Sequence, residues 1–306
     1  MTGLSLWVWI PLLALGLIAE GLLLLRISRH PVRPEIPWGL LDCVRIAVGA
    51  ALCCAILTML LAAPWVGPRL GRGEIVPAPP WEGAQGLMLL LVQTALLLCV
   101  AGPIVWMVFL RRGYPLSEAG VRSPHAPRAW AWAILVVALC LPVDLACQVA
   151  AHGLGWSVPR QMLGHILEET GAGVRAGTAG AGVDAAALIV LAVVVAPLLE
   201  EFLFRFFAYQ TLLRYAGSRM AWIGASLMFA TCHLEVEAVG GGPSFGDLGA
   251  PLLCVVVPIG VFGFLLQGLY IRTRSLGPGI AAHALNNGIY VAALLTGHAD
   301  WLTPFG

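Results

Sequence analysis

With 306 residues, 59% of them hydrophobic, only 11% charged and a formal net charge of +1, the chain cannot cover a water-facing surface; soluble domains carry about 25% charged residues. Lipid must cover much of it, and with no basic surplus to meet phosphates, nucleic acid is excluded as a partner. All 17 basic residues are Arg, a usage that reads as a GC-rich, bacterial genome.

A bilayer core takes about 20 apolar residues per helix, because backbone polar groups in lipid must be satisfied within the segment. Eight stretches qualify: 4–25, 46–66, 86–110, 129–151, 184–207, 219–238, 251–271 and 278–296. The expected fold class is therefore all-α, a polytopic membrane protein of about eight transmembrane helices. The first stretch has no basic region before it and no small-residue cleavage site, so it reads as a retained helix rather than a signal peptide. The sixth is the least clean, interrupted by Ser226, Thr231, His233, Glu235 and Glu237.

Short cytoplasmic loops are rich in Arg. Arg26, Arg29, Arg33 and Arg45 follow the first stretch, Arg111, Arg112, Arg122 and Arg128 the third, Arg214 and Arg219 the fifth, Arg272 and Arg274 the seventh. The alternate loops balance Arg69 and Arg72 with Glu74 and Glu82, and Arg160 and Arg175 with Glu168 and Glu169. This alternation places both termini outside, in a bacterial cytoplasmic (inner) membrane. Three regions follow: four N-terminal helices over 1–152, an external Gly/Ala-rich connection over 153–183, and a core over 184–296. Within the connection, Arg160–Glu169 reads as a short interfacial helix and 170–183 as a mobile stretch. The eight Cys sit mostly in apolar runs without metal or disulfide spacing and read as small hydrophobes.

Ionisable groups inside a span are functional candidates by default, since each costs about 2.5–3.5 kcal/mol to insert at a helix centre. The fifth stretch holds Glu200, Glu201 and Arg205. Glu201 and Arg205 are four residues apart and share a face, so they pair. Glu200 is rotated about 100° away and keeps its carboxylate free to act as a general base for water. The sixth stretch places Phe229 and His233 four residues apart, and the last does the same with His283 and Asn287. Measured at about 1.5 Å per residue, Glu200 lies about 20 Å from Arg214, His233 about 21 Å from Arg219, and His283 and Asn287 about 14 and 20 Å from Arg274. The three motifs thus reach one layer of the membrane. Taken singly, His233 and Asn287 read as interhelical hydrogen-bonding groups. Glu20, Asp42 and Asp144 have no partner pattern and read as structural or interfacial.

EEFLFR at Glu200–Arg205, FATCH at Phe229–His233 and HALNN at His283–Asn287 resemble, in order and spacing, the EExxxR, FxxxH and HxxxN motifs of the CPBP family, the type II CAAX prenyl endopeptidases and bacteriocin-processing (Abi) proteins. The resemblance covers about 184–296; SEAGVR at 117–122 is similar to a segment common in these proteins. It implies a conical cavity open to the cytoplasmic side and peptide-bond hydrolysis without a covalent intermediate. Glu200 would activate water with His233, His283 and Asn287 would stabilise the oxyanion, and Glu201, Arg205 and Phe229 would support the site. No cofactor is expected, because Asn is a poor zinc ligand; Zn²⁺ held by the two His and Glu is the alternative. The expected partners are the bilayer and a protein or peptide cleaved close to it, with sorting-signal or peptide maturation preferred over prenylated tails. The competing readings are an immunity or scaffold protein of the same fold, and a proton-coupled transporter, which lacks the internal repeat it would need.

Overall fold

The computed structural model describes residues 36–53, 56, 85–122, 127–156, 162–234 and 249–298. The expected span 4–25, most of the second half of 46–66 and the end of 219–238 lie outside the described residues. All regular elements among the described residues are helices. In chain order they are α1 over 40–53, α2 (Gln85–Val105, continuing as a π-turn through Trp106–Arg111), α3 (Arg128–Gly153) and α4 (Met162–Arg175). The long α5 joins Ala181–Ile189, a π-segment Val190–Val195, Ala196–Glu200 and a second π-segment Glu201–Ala208. It runs into α6 (Tyr209–Thr231); α7 spans Gly249–Pro251, a π-segment Leu252–Val256 and Val257–Thr273, and α8 spans Gly277–Thr296.

Among the described residues, four helices are long and apolar enough to cross a membrane by length and composition: Gly86–Arg111, Arg128–Gly153, Ala181–Thr231 and Gly249–Thr273. The third is 51 residues long, about 77 Å at 1.5 Å per residue, well over one bilayer. It breaks at Gly217, whose φ of 78° and ψ of 169° are not helical; glycine adopts that left-handed φ without a Cβ clash. The expected loop after the fifth stretch is therefore mostly helix, with the turn confined to Gly217. Helix α8 falls outside the four because Gly277, Gly279, Gly288, His283, Asn286 and Asn287 dilute its apolarity.

Two of the π-segments precede prolines, Val190–Val195 before Pro197 and Leu252–Val256 before Pro258. Proline lacks an N–H and clashes with the carbonyl a turn earlier; widening that turn accommodates it. Small residues bring α6 and α7 together. A Cβ on Gly263 would lie 2.9 Å from the Phe229 ring, and one on Gly268 2.8 Å from Trp222, the close approach typical of membrane helices.

Among the described residues, three apolar clusters organise the helices. One gathers Trp38, Ile104, Val108, Phe206, Tyr209 and Tyr270. It is tied down by Trp38 Nε1 donating to Thr211 Oγ1 at 2.9 Å and Leu40 N donating to Tyr215 at 2.7 Å. The second joins α3, α6, α7 and α8 through Val137, Phe229, Phe262, Leu266 and Ala282. The third packs Leu167 of α4 against Leu188, Ala192 and Val291. Residues 162–175 are thus one helix docked on α5 and α8, which corrects the reading of 170–175 as part of a mobile stretch. Glycine at 171 permits the contact, since a Cβ there would meet the Leu295 oxygen at 2.5 Å. Near the α7–α8 turn, the SEAGVR segment is stitched on by Ser275 Oγ donating to the Arg122 carbonyl at 2.6 Å and Leu276 N to the Gly120 carbonyl at 2.9 Å. Asp42, expected to be structural, pairs with Arg112 at 3.2 Å and accepts from Gly39 N.

Candidate active site

Glu200 ends an α-helical stretch and Glu201 opens the π-segment that follows, so the two adjacent carboxylates leave α5 in different directions. Glu201 is fully buried with Arg205, and Arg205 Nε donates to its two oxygens at 3.3 and 3.2 Å. The Arg205 guanidinium lies 4.5 Å over the Phe229 ring, a contact that strengthens when both partners are out of water. Its Nη1 and Nη2 are buried without a hydrogen-bond partner among the described residues. The ring of Phe229 therefore packs against a buried cation whose outer nitrogens lack such a partner, which explains an aromatic at the start of the FxxxH spacing.

Phe229 also sets both imidazoles. Its ring meets His233 edge-on at 4.7 Å and His283 at 5.6 Å, and Phe262 holds the other side of His283 at 5.5 Å. His233 Nδ1 lies 2.7 Å from the Phe229 carbonyl. A carbonyl only accepts, so that nitrogen carries the hydrogen. His283 Nδ1 lies 3.2 Å from Glu201 Oε1, and by the same logic donates to the carboxylate. Both Nε2 atoms are thereby left to face Glu200, at 3.6 Å from His233 and 3.8 Å from His283. The Glu200 oxygen they face, Oε2, is buried and has no hydrogen-bond partner among the described residues. Carboxylate and imidazoles stand just beyond direct hydrogen-bond range, with both Nε2 atoms within 3.8 Å of the same Glu200 oxygen.

Asn287 sits one turn beyond His283 and donates Nδ2 to the Ala192 carbonyl at 2.8 Å. In the π-register of Val190–Val195, Ala196 N bonds Leu191 five residues back; the next donor, which would reach Ala192, is Pro197 and has no N–H. Asn287 satisfies that carbonyl and keeps a second amide hydrogen.

The structure thus brings Glu200, Glu201, Arg205, Phe229, His233 and His283 into one cluster, with Asn287 one turn away on α8. Sequence reasoning missed Gly279. A Cβ there would lie 2.8 Å from Glu201 Oε2, so the carboxylate occupies the space a side chain would take. Its signal was present: Gly279 stands four residues before His283, on the same face of α8. Phe262 and the Ala192 carbonyl carried no comparable signal, because an apolar residue or a backbone oxygen in a span looks like every other. As for metals, no group of three or more His, Cys, Asp or Glu among the described residues is arranged to hold an ion.

Comparison with known proteins agrees with the three motifs. Residues 182–289 match the family model described as Type II CAAX prenyl endopeptidase Rce1-like, a stretch that begins with α5 and encloses every residue of the cluster. No curated protein and no solved structure matches the chain. Residues 182–289, which contain the EExxxR, FxxxH and HxxxN spacings, are thus similar to the type II CAAX prenyl endopeptidase (Rce1-like) family.

Proposed function

We propose that the protein is an intramembrane endopeptidase that hydrolyses a peptide bond near the membrane surface with water activated by Glu200. One observation carries the reading: the unpartnered Glu200 Oε2 facing the Nε2 atoms of His233 and His283 at 3.6 and 3.8 Å, with each Nδ1 already committed. A water entering between them gives one proton to Glu200 as its oxygen attacks the scissile carbonyl carbon. His233 holds that water by its Nε2. The tetrahedral oxyanion is met by the second amide hydrogen of Asn287 and by His283, which Glu201 holds in place. Collapse breaks the C–N bond, and the departing amine takes the proton from Glu200. Preorganised donors of this kind are worth about 10²–10³ in rate each.

The same reading has about eight spans with both termini outside, in a bacterial cytoplasmic membrane, and needs no cofactor. Its substrates are membrane-anchored or exported proteins or peptides, cleaved during sorting or maturation. Vesicles carrying the purified protein, mixed in H₂¹⁸O with membranes from a host lacking the gene, test it. New C-termini with a single ¹⁸O are expected with wild type and none with Glu200→Gln. New ends from both proteins alike, or from neither, would count against it. A metal chelator is expected to leave the wild-type yield unchanged.

A further inference from the structure

Asp144 is an ionisable group sixteen residues into the 26-residue helix α3, and the chemistry at Glu200 makes no use of it. Its Oδ2 accepts from two donors, Gln148 Nε2 at 3.2 Å on its own helix and the Tyr290 hydroxyl on α8. Tyr290 follows Asn287 by three residues and His283 by seven, so the three share one stripe of α8. Each member of that stripe is bonded to a different segment: His283 to Glu201, Asn287 to the Ala192 carbonyl, and Tyr290 to Asp144. At the other end, Gly279 abuts the Glu201 carboxylate. The Tyr290 bond links α8 to α3, which packs along both α7 and α8.

We propose that Asp144 and Tyr290 are positioning residues: their bond fixes the rotation of α8 about its axis, so that His283 Nε2 faces Glu200. The proposal rests on the reading of Glu200 and His283 as reacting groups, and extends the site to a helix outside the family match. A carboxylate inside a span is expensive to keep. Anchoring the helix that carries His283 gives it a use that ordinary packing would not require.

The test reads the imidazole directly. In protein labelled with ¹⁵N-histidine in lipid nanodiscs, the His283 nitrogen resonances are assigned with His283→Gln. Tyr290→Phe and Asp144→Leu are expected to displace the His283 resonances while leaving those of the exposed His298 in place. Asp144→Asn keeps an oxygen to accept from the phenol and is expected to retain the wild-type positions. Unchanged His283 resonances in Tyr290→Phe, even with a lowered melting temperature, would overturn the proposal and leave the bond as simple interhelical packing. Should Asp144→Leu fail to fold, the near-isosteric Tyr290→Phe decides. For a cleaved substrate, Tyr290→Phe is expected to lower kcat about tenfold with KM unchanged, the signature of lost alignment. Displaced His283 resonances in a protein that cleaves nothing would keep the positioning role and remove the protease reading.

Discussion

Adjacent residues in the same helix do opposite jobs here. Glu201 is neutralised by Arg205 and bonded to His283, whereas Glu200 faces two imidazoles with its Oε2 unpartnered. Replacing them separates the jobs. Glu201→Ala leaves Arg205 buried and uncompensated, which destabilises by about 3–5 kcal/mol; a lowered melting temperature in detergent is the expected result. Glu200→Gln keeps the shape and removes the base, so it is expected to abolish cleavage while leaving the melting temperature near that of wild type. Gly279→Ala drives a methyl against Glu201 Oε2 and is expected to lower both stability and activity. Unaltered melting of Gly279→Ala would mean that the carboxylate has room to move.

The π-segments show how proline shapes the helices. Pro197 leaves the Ala192 carbonyl without a backbone donor, and Asn287 supplies one from α8. Losing that donor to a buried carbonyl costs about 1–3 kcal/mol, so Asn287→Ala is expected to melt lower than wild type. Adding Pro197→Ala to that variant restores an N–H beneath the carbonyl, and should recover part of the loss; a further drop would contradict this account. The helices themselves were legible in sequence because apolar length is a strong signal: 86–110, 129–151, 251–271 and 278–296 fall within a few residues of α2, α3, α7 and α8. What could not be read was local backbone choice. Gly and Ala in 170–175 predicted mobility, yet the same small side chains let α4 lie against the Leu295 backbone. Likewise the loop expected near Arg214 is helix, because one glycine suffices to turn the chain.

At the scale of the whole molecule, three motifs spread over 88 residues, Glu200 to Asn287, converge through a scaffold that has no motif of its own. Their i, i+4 spacings gave away the faces of Glu201, Arg205, Phe229 and His233, since a helix fixes which side chains share a side. Partners across helices, such as Asp144 with Tyr290 and Asn287 with Ala192, were not legible, because pairing between helices depends on rotation and depth that spacing does not encode. The proposed topology, argued from the Arg-rich alternate loops, has both ends outside. A C-terminal alkaline phosphatase fusion is expected to be active and a fluorescent protein fusion dark; the reverse pattern would invert the topology and turn the site to the other side of the membrane.

The central claim, that Glu200 serves as the base of a peptidase, is tested most directly in the native host. The termini of all membrane and exported proteins are compared between wild type and a chromosomal Glu200→Gln strain. The account predicts a defined set of mature ends that disappear in the mutant, with the uncut precursors accumulating in their place. If every terminus is unchanged while deletion of the whole gene still has a phenotype, the protein acts without cleaving, and the claim is wrong.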